Sequence, residues 1–240
     1  MYFEYRGKKS SDFCLKIKEI NNYSSPSRAL ETHVVPGRNG ELIVDNGHYN
    51  NFRLQITCFL DGRPERNGKK LSLAELATEL KAWLQEGDYS YSPIKLENEE
   101  YYYEGYLENY LDIKELFTNF AEVLLTFNCK PFRKKDSGDD VIVITEKNTV
   151  ITNTGIDSEP YVKLYGSGDI TLSIGEQLIK FVNVEQYIEI DSELMNCYKN
   201  GVNQNNRMFG DFPVLKRGDN SVSFTGNVTK IEIRPRWVRL

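Results

Sequence analysis

Histidine is nearly absent from this chain: only His33 and His48 occur, both in or beside one polar segment. Nucleophilic catalysis by serine or cysteine needs a base next to the nucleophile, usually an imidazole. No Gly-x-Ser-x-Gly elbow occurs either, so the pattern argues against a hydrolase of that kind. Cysteine is sparse as well. Cys14, Cys58, Cys129 and Cys197 are scattered without a Cys-x-x-Cys pair, and they read as buried thiols rather than as disulfides or metal ligands. No calcium loop of alternating acidic residues appears. The expectation is a chain with no catalytic residue, no cofactor and no metal.

Long apolar runs are missing too. None approaches the length that spans a bilayer, and the opening MYFEYRGKKSSDF lacks an apolar core of signal-peptide length, so membrane insertion is not expected. Cationic clustering is absent. The formal charge is −5 and neither half of the sequence is basic, which argues against direct nucleic-acid recognition.

Tyrosine, by contrast, is plentiful, at 15 residues beside 12 phenylalanines. Such aromatics favour strands. One segment, LSLAELATELKAWLQEG, predicts a helix over residues 72–86. Ser72 is the N-cap, Glu75 completes a capping box, and Gly87 supplies the stop. Leu73, Leu76, Leu80, Trp83 and Leu84 line one stripe of it. Nearly everything else reads as strand and turn. Phe13, Leu15 and Ile17 alternate with polar neighbours, as do Phe52, Leu54, Ile56 and Cys58. YYYEGYLENY and FAEVLLTFNCKPF supply two further strands. The stretch RKKDSGDD, residues 133–140, has no apolar residue and predicts a linker on which few contacts depend. The domain reading is residues 1–133, an α+β domain; residues 134–140, a linker; and residues 141–240, a β-sandwich with turns at regular spacing.

One hairpin in the second domain can be assigned a register. A two-residue turn at Gly175-Glu176 sets Leu172 opposite Ile179, Ile170 opposite Phe181 and Thr171 opposite Lys180, so the apolar pairs share a face.

The segment PGRNGELIVDNGHYNN, residues 36–51, carries Asn-Gly at 39–40 and again at 46–47, pairs that mark tight turns. It reads as a polar arm with four strand-like residues in its middle. Either it is a short surface hairpin or it reaches a neighbouring subunit. The candidate contact residues are Pro36, Gly37, Arg38, Asn39, Gly40, Asn46 and Gly47, with the tyrosines around 101–110 as a second surface. Residues 97–108, ENEEYYYEGYLE, read as a solvated acidic edge. Two carboxylates would suffice for a glycosidase, and Asp139, Asp140, Asp169, Asp191, Asp211 and Asp219 are the candidates. Asp169 and Asp211 follow glycines, however, and Asp219 lies between Gly218 and Asn220, so turn formation accounts for all three. Trp237 follows the pattern of Ile231 and Ile233 and is expected to be buried.

The C-terminal text GDFPVLKRGDNSVSFTGNVTKIEIRPRWVRL resembles the end of the distal tail proteins of long, non-contractile-tailed phages and prophages. The resemblance rests on Asp211, Phe212 and Pro213, then Leu215, Gly218 and Asn220, a strand ending at Gly226, and the closing Arg236-Trp237. PYVKLYGSGDITLSIG and QYIEIDSELMNCYKNG fit the same order, as do PGRNGEL, the helix ending at Trp83-Leu84, and FNCKPF. It spans essentially the whole chain, and its force lies in the order of many turn and strand signatures rather than in one motif. The resemblance implies a non-enzymatic hub of the tail tip in the virion, made in the bacterial host cytoplasm. Its N-terminal domain would form a homohexameric ring between the tail tube protein and the tail-associated tip protein, with a galectin-like sandwich facing outward. Receptor-binding proteins are a further partner class it leaves open. A carbohydrate-binding protein acting through the sandwich is the alternative. Against it, galectins build their sugar site around a histidine, and none follows the linker.

Overall fold

The structure, a computed structural model, describes residues 1–21, 24–63, 65–66, 69–87, 89–108 and 110–240. It is mainly β, with one α-helix among the described residues. The chain divides into two compact units, Met1–Arg133 together with Leu240, and Lys134–Arg239.

In the first unit the main strands are β1 (Phe3–Tyr5), β2 (Leu15–Ile20), β3 (Arg28–Val34), β4 (Glu41–Tyr49) and β5 (Phe52–Asp61). Helix α1 (Leu73–Gln85) follows, then β6 (Ser92–Leu96), β7 (Tyr101–Leu107), β8 (Asp112–Phe117) and β9 (Phe120–Cys129). The sheet runs Lys8–Lys9, β1, β6, β7, β9, β5, β2, with β8 also paired to β9. Its centre is the antiparallel pair β5–β9, in register from Phe52↔Cys129 to Asp61↔Phe120. Period-two alternation turns Leu54, Ile56, Cys58 and Leu60 of β5 inward beside Val123, Leu125 and Phe127 of β9. Strands β6 and β8 were not singled out by the sequence reading.

Helix α1 covers that inner face, and it begins as its capping signature requires. The Ser72 Oγ accepts from the Glu75 amide at 3.3 Å, while the Glu75 carboxylate accepts from the Ser72 amide at 2.8 Å. Leu76, Leu80, Trp83 and Leu84 are buried, and Leu73 is half-buried at the margin. Trp83 organises the aromatic end of the core. Its ring stacks on Phe13 with centroids 4.5 Å apart, and its Nε1 donates to the Tyr5 carbonyl at 3.0 Å. Phe13 lies at the end of a 3-10 turn, Ser10–Phe13, rather than in the strand its alternation suggested.

The second unit is built on two long strands, β12 (Tyr161–Ile174) and β16 (Gly218–Arg234). They pair along their lengths with register breaks between Tyr165 and Thr171. Around them lie β10 (Ile142–Ile144), β11 (Thr149–Asn153), β13 (Gln177–Val184), β14 (Tyr187–Asp191) and β15 (Asn196–Lys199). On one side of the breaks the order is β10, β16, β12, β14, β15; on the other, β11, β16, β12, β13. The two halves share one core, in which Val162, Leu164 and Ile188 meet Leu172, Ile179 and Phe224. Glycine makes the bend possible: a Cβ on Gly166 would lie 2.3 Å from the Asn227 carbonyl oxygen. The β12–β13 hairpin has the register expected of it, with Ile170↔Phe181, Thr171↔Lys180 and Leu172↔Ile179.

Residues 134–140 depart from the reading that few contacts depend on them. Asp136–Asp139 form a 3-10 turn with Gly138 buried. The Gly138 carbonyl accepts from the Arg236 amide at 2.7 Å, and the Lys135 amide donates to the Trp237 carbonyl at 2.8 Å. Docking through backbone groups leaves no trace in apolar composition, which is why RKKDSGDD looked free.

Candidate functional site: a two-stranded arm

Strands β3 and β4 pair only with each other, as a two-stranded sheet, among the described residues. The arm is rooted at one end of the first unit's main sheet. There the Asn50 amide donates to the Ser27 carbonyl at 2.9 Å, and the Asn51 side-chain amide donates to the Tyr91 hydroxyl at 2.6 Å and to Asn128 Oδ1 at 2.7 Å. At the base the Arg28 guanidinium pairs with Asp45 at 3.0 Å and lies 4.7 Å from the Tyr49 ring centroid. Tyr49 in turn meets Phe132 edge-on at 5.5 Å.

Beyond this anchor the arm is bare. Ala29 is its buried residue, while Val34 is 78% exposed and Ile43 63%. The register places Leu30, Thr32 and Val34 on one face with Asp45, Ile43 and Glu41, and it places Glu31 and His33 on the other with Val44 and Leu42. Apolar side chains therefore emerge on both faces of the ribbon. An isolated two-stranded ribbon is marginal in water, and exposed apolar clusters of this kind mark contact surfaces.

The sequence-predicted contact residues fall into two groups. Pro36, Gly37, Arg38, Asn39 and Gly40 form the exposed tip, with φ of +80° at Gly37 and +83° at Gly40. A turn was expected there. Asn46 and Gly47, also read as a turn, instead lie inside β4. The register passes from Arg28↔Tyr49 to Leu30↔Asp45, so extra residues of β4 form a bulge. Gly47, at φ +78°, donates its amide to Asp45 Oδ1 at 2.8 Å. That bond, and then the Arg28 guanidinium, holds the Asp45 carboxyl below its ordinary range. Asn-Gly signalled positive φ correctly but not its setting. The arm is also less polar than it read, because ALETHV was not recognised as the partner of ELIV. Of the second candidate surface, Tyr103 is buried and Tyr101, Tyr102 and Tyr106 are half-buried, leaving Tyr110 exposed.

The chemical candidates take structural positions. His33 and His48 are exposed on the arm. Burial pushes the Cys58 and Cys129 thiols up to about 12 and Cys197 to about 11, far from thiolate chemistry at neutral pH. Asp169 Oδ1 accepts from the Asn183 amide at 3.0 Å, and Asp219 Oδ1 from the Thr152 hydroxyl at 2.7 Å. Beside Asp219, the buried Asn220 side chain accepts from the Lys216 amide at 2.9 Å and donates to the Lys216 carbonyl at 2.8 Å. The Asp191 carboxylate, which sequence reading gave no partner, is held by Arg236 through bonds of 2.7 and 2.9 Å. Trp237 is half-buried against the core of its unit. On the outer face of the same unit, cations cover the tyrosine rings: Lys163 Nζ lies 4.2 Å from the Tyr187 centroid and Lys230 Nζ 4.4 Å from that of Tyr165. No group of three or more potential metal ligands occurs among the described residues. No helix among them is long and apolar enough to cross a membrane.

The Dit (gp 19.1) protein of SPP1, described as a paradigm of the hub adsorption apparatus in phages that infect Gram-positive hosts, matches over 100% of this chain and 99% of its own. The TM-score is 0.78 at 16% sequence identity. The chain has a Dit-like fold. The phage p2 baseplate in its activated conformation with calcium contains a chain that matches at TM-score 0.51 and 12% identity, over 100% of this chain and 97% of that one. The strontium form matches at 0.50 and 11%, over 97% and 96%. No family model and no curated protein matches the sequence. The Dit-like fold thus covers both units.

Proposed function

We propose that this chain is a non-enzymatic structural hub of a phage tail tip or baseplate. In this reading the first unit closes a homohexameric ring between the tail tube protein and the tail-associated tip protein, and the second is a galectin-like sandwich on the outside of the virion. The Dit-like fold over the whole chain supports the role. The single observation that carries it is the arm, β3 and β4, apolar on both faces and uncovered within one copy of the chain. A heterologous contact repeated around an axis closes into a ring, and a projecting arm is a heterologous element, since its target is a different surface. Pro36, Gly37, Arg38, Asn39, Gly40, Asn46 and Gly47 are then contact residues. Tube, tip and receptor-binding proteins are its partner classes.

Native mass spectrometry and negative-stain microscopy of the purified chain test this. A closed oligomer of six copies with a central hole is expected. Replacing residues 37–48 with a short Gly-Ser linker should dissociate it while both units stay folded. A chain that remains monomeric at high concentration overturns the reading. The carbohydrate-binding alternative is the weaker one, because the outer tyrosine rings are already occupied by lysines. Specific retention on a glycan array would reinstate it.

A further inference from the structure

The arm needs a receiving surface, and the first unit offers a groove of matching character. Helix α1 and strand β8 border an open groove of about 440 Å³, lined by Ala74, Ala77 and Lys81 on the helix and by Asp112, Ile113 and Glu115 on the strand. Among the described residues β8 pairs with β9 alone, so its other edge presents unsatisfied backbone donors and acceptors. Beyond the groove the same strand ends in Leu116 and Phe117, the latter 73% exposed. An open edge beside a groove of mixed apolar and charged lining accepts an added strand: the ladder binds its backbone, and alternate side chains enter the groove.

Groove and arm stand at opposite ends of one sheet. The arm is rooted where Phe52 faces Cys129, whereas β8 lies against the other end of β9, from Asp112↔Leu124 to Phe117↔Phe120. Strand β9, 10 residues and roughly 30 Å long at the usual rise per residue, carries β8 along its first half and meets the arm's root at its last residue. An arm that leaves from one end and a groove at the other are the two halves of a head-to-tail contact. Their charges correspond as well: Arg38 and Glu41 at the tip of the arm can meet Asp112, Glu115 and Lys81 of the groove.

We infer that the β3–β4 arm of one copy adds to the free edge of β8 in the next copy and places its apolar side chains against the α1–β8 groove. This rests on the ring reading above and names its receiving surface. The arm's second apolar face is then free to be covered by a further neighbour, which accounts for its being apolar on both sides.

The test is cross-linking in the full-length chain. Ile43→Cys and Leu116→Cys are introduced together, both at exposed positions, and the assembled protein is treated with a short bis-maleimide. Cys58, Cys129 and Cys197 are buried and Cys14 is half-buried, so the parent chain supplies the background. A ladder of covalent chain multiples is expected from the double variant. It should be absent from Ile43→Cys alone, from Leu116→Cys alone, and from Ile43→Cys combined with Val150→Cys in the second unit. An intact oligomer without the ladder overturns this inference and leaves the ring reading standing. A chain that is monomeric by native mass overturns both.

Discussion

Two hairpins of this protein both turn through glycines of positive φ and have opposite fates. In the second unit, β12–β13 turns at Gly175-Glu176 and sends Ile170, Leu172, Ile179 and Phe181 to one buried face. In the first, β3–β4 turns through Gly37 and Gly40 and carries Leu30, Val34 and Ile43 on one face and Leu42 and Val44 on the other, all exposed. Strict alternation on both strands lets a hairpin complete a core within its own chain. Apolar residues on both faces cannot be covered by one core, so such a ribbon stays out of it. What decides burial is which faces the apolar positions occupy.

The largest effect should come from cutting into the buried hairpin. Phe181→Ala removes a fully buried ring and is expected to destabilise the second unit by about 3–5 kcal/mol, read as an early thermal or urea transition. A cost under about 1 kcal/mol would mean that the two hairpins are not as different as their burial indicates.

The glycines sharpen the comparison next. Gly226 has φ +95° and a Cβ there would lie 2.5 Å from the Asp169 carbonyl oxygen, whereas Gly40 has φ +83° in open space. Gly226→Ala combines strain with a backbone clash and should cost roughly 2–4 kcal/mol. Gly40→Ala meets strain alone and should cost about 1–2 kcal/mol, confined to the arm. Equal melting shifts for the two variants would refute the bent-strand account of the sandwich.

Acid should act on the second unit through Asp191. Burial raises its pKa, while the Arg236 guanidinium and the Leu194 and Glu193 amides together lower it by more, for a net depression. A depressed carboxyl stabilises the fold fully above its unfolded pKa of about 3.9, and that contribution is lost as pH falls below this towards the folded value. Between neutral pH and about 5 the melting temperature should not respond to this pair. Below about 4 it should fall, and Asp191→Asn should flatten the slope while lowering stability at pH 7 by on the order of 1–2 kcal/mol. An unchanged acid slope in the variant would remove the pair from the account.

On the arm the expected monomer effects are smallest. Ile43→Asp should move the melting of the isolated chain by no more than about 0.5 kcal/mol, since the side chain is already in water. Assembly, in contrast, should require about tenfold more protein or fail. Asp219→Asn closes the series: an amide oxygen can still accept from Thr152, so a change within about 0.5 kcal/mol is expected. A large loss would show that the charge of Asp219 matters and not merely its hydrogen bond from Thr152.

Residue type and spacing alone determined the capped helix with its leucine-tryptophan stripe, the inward set of β5, and the β12–β13 register. In each, a period of 3.6 or 2 matches one buried face, so local pattern and global packing agree. The glycine-led aspartates read as turn residues, yet Asp169 lies within β12 and Asp219 within β16 opposite Thr152, each following a glycine of positive φ. Only tertiary structure decided the rest. Gly47 entered a bulge and not a turn because β4 had to keep pairing with β3. Residues 134–140 became ordered through backbone bonds, from the Arg236 amide to Gly138 and from the Lys135 amide to Trp237, that no side chain announces. Strand β8 found its place against β9, with no second partner strand among the described residues. The bareness of the arm on both faces was invisible in ELIVDNGHY taken alone, because it depends on which residues of ALETHV stand opposite and on there being no further layer to cover them.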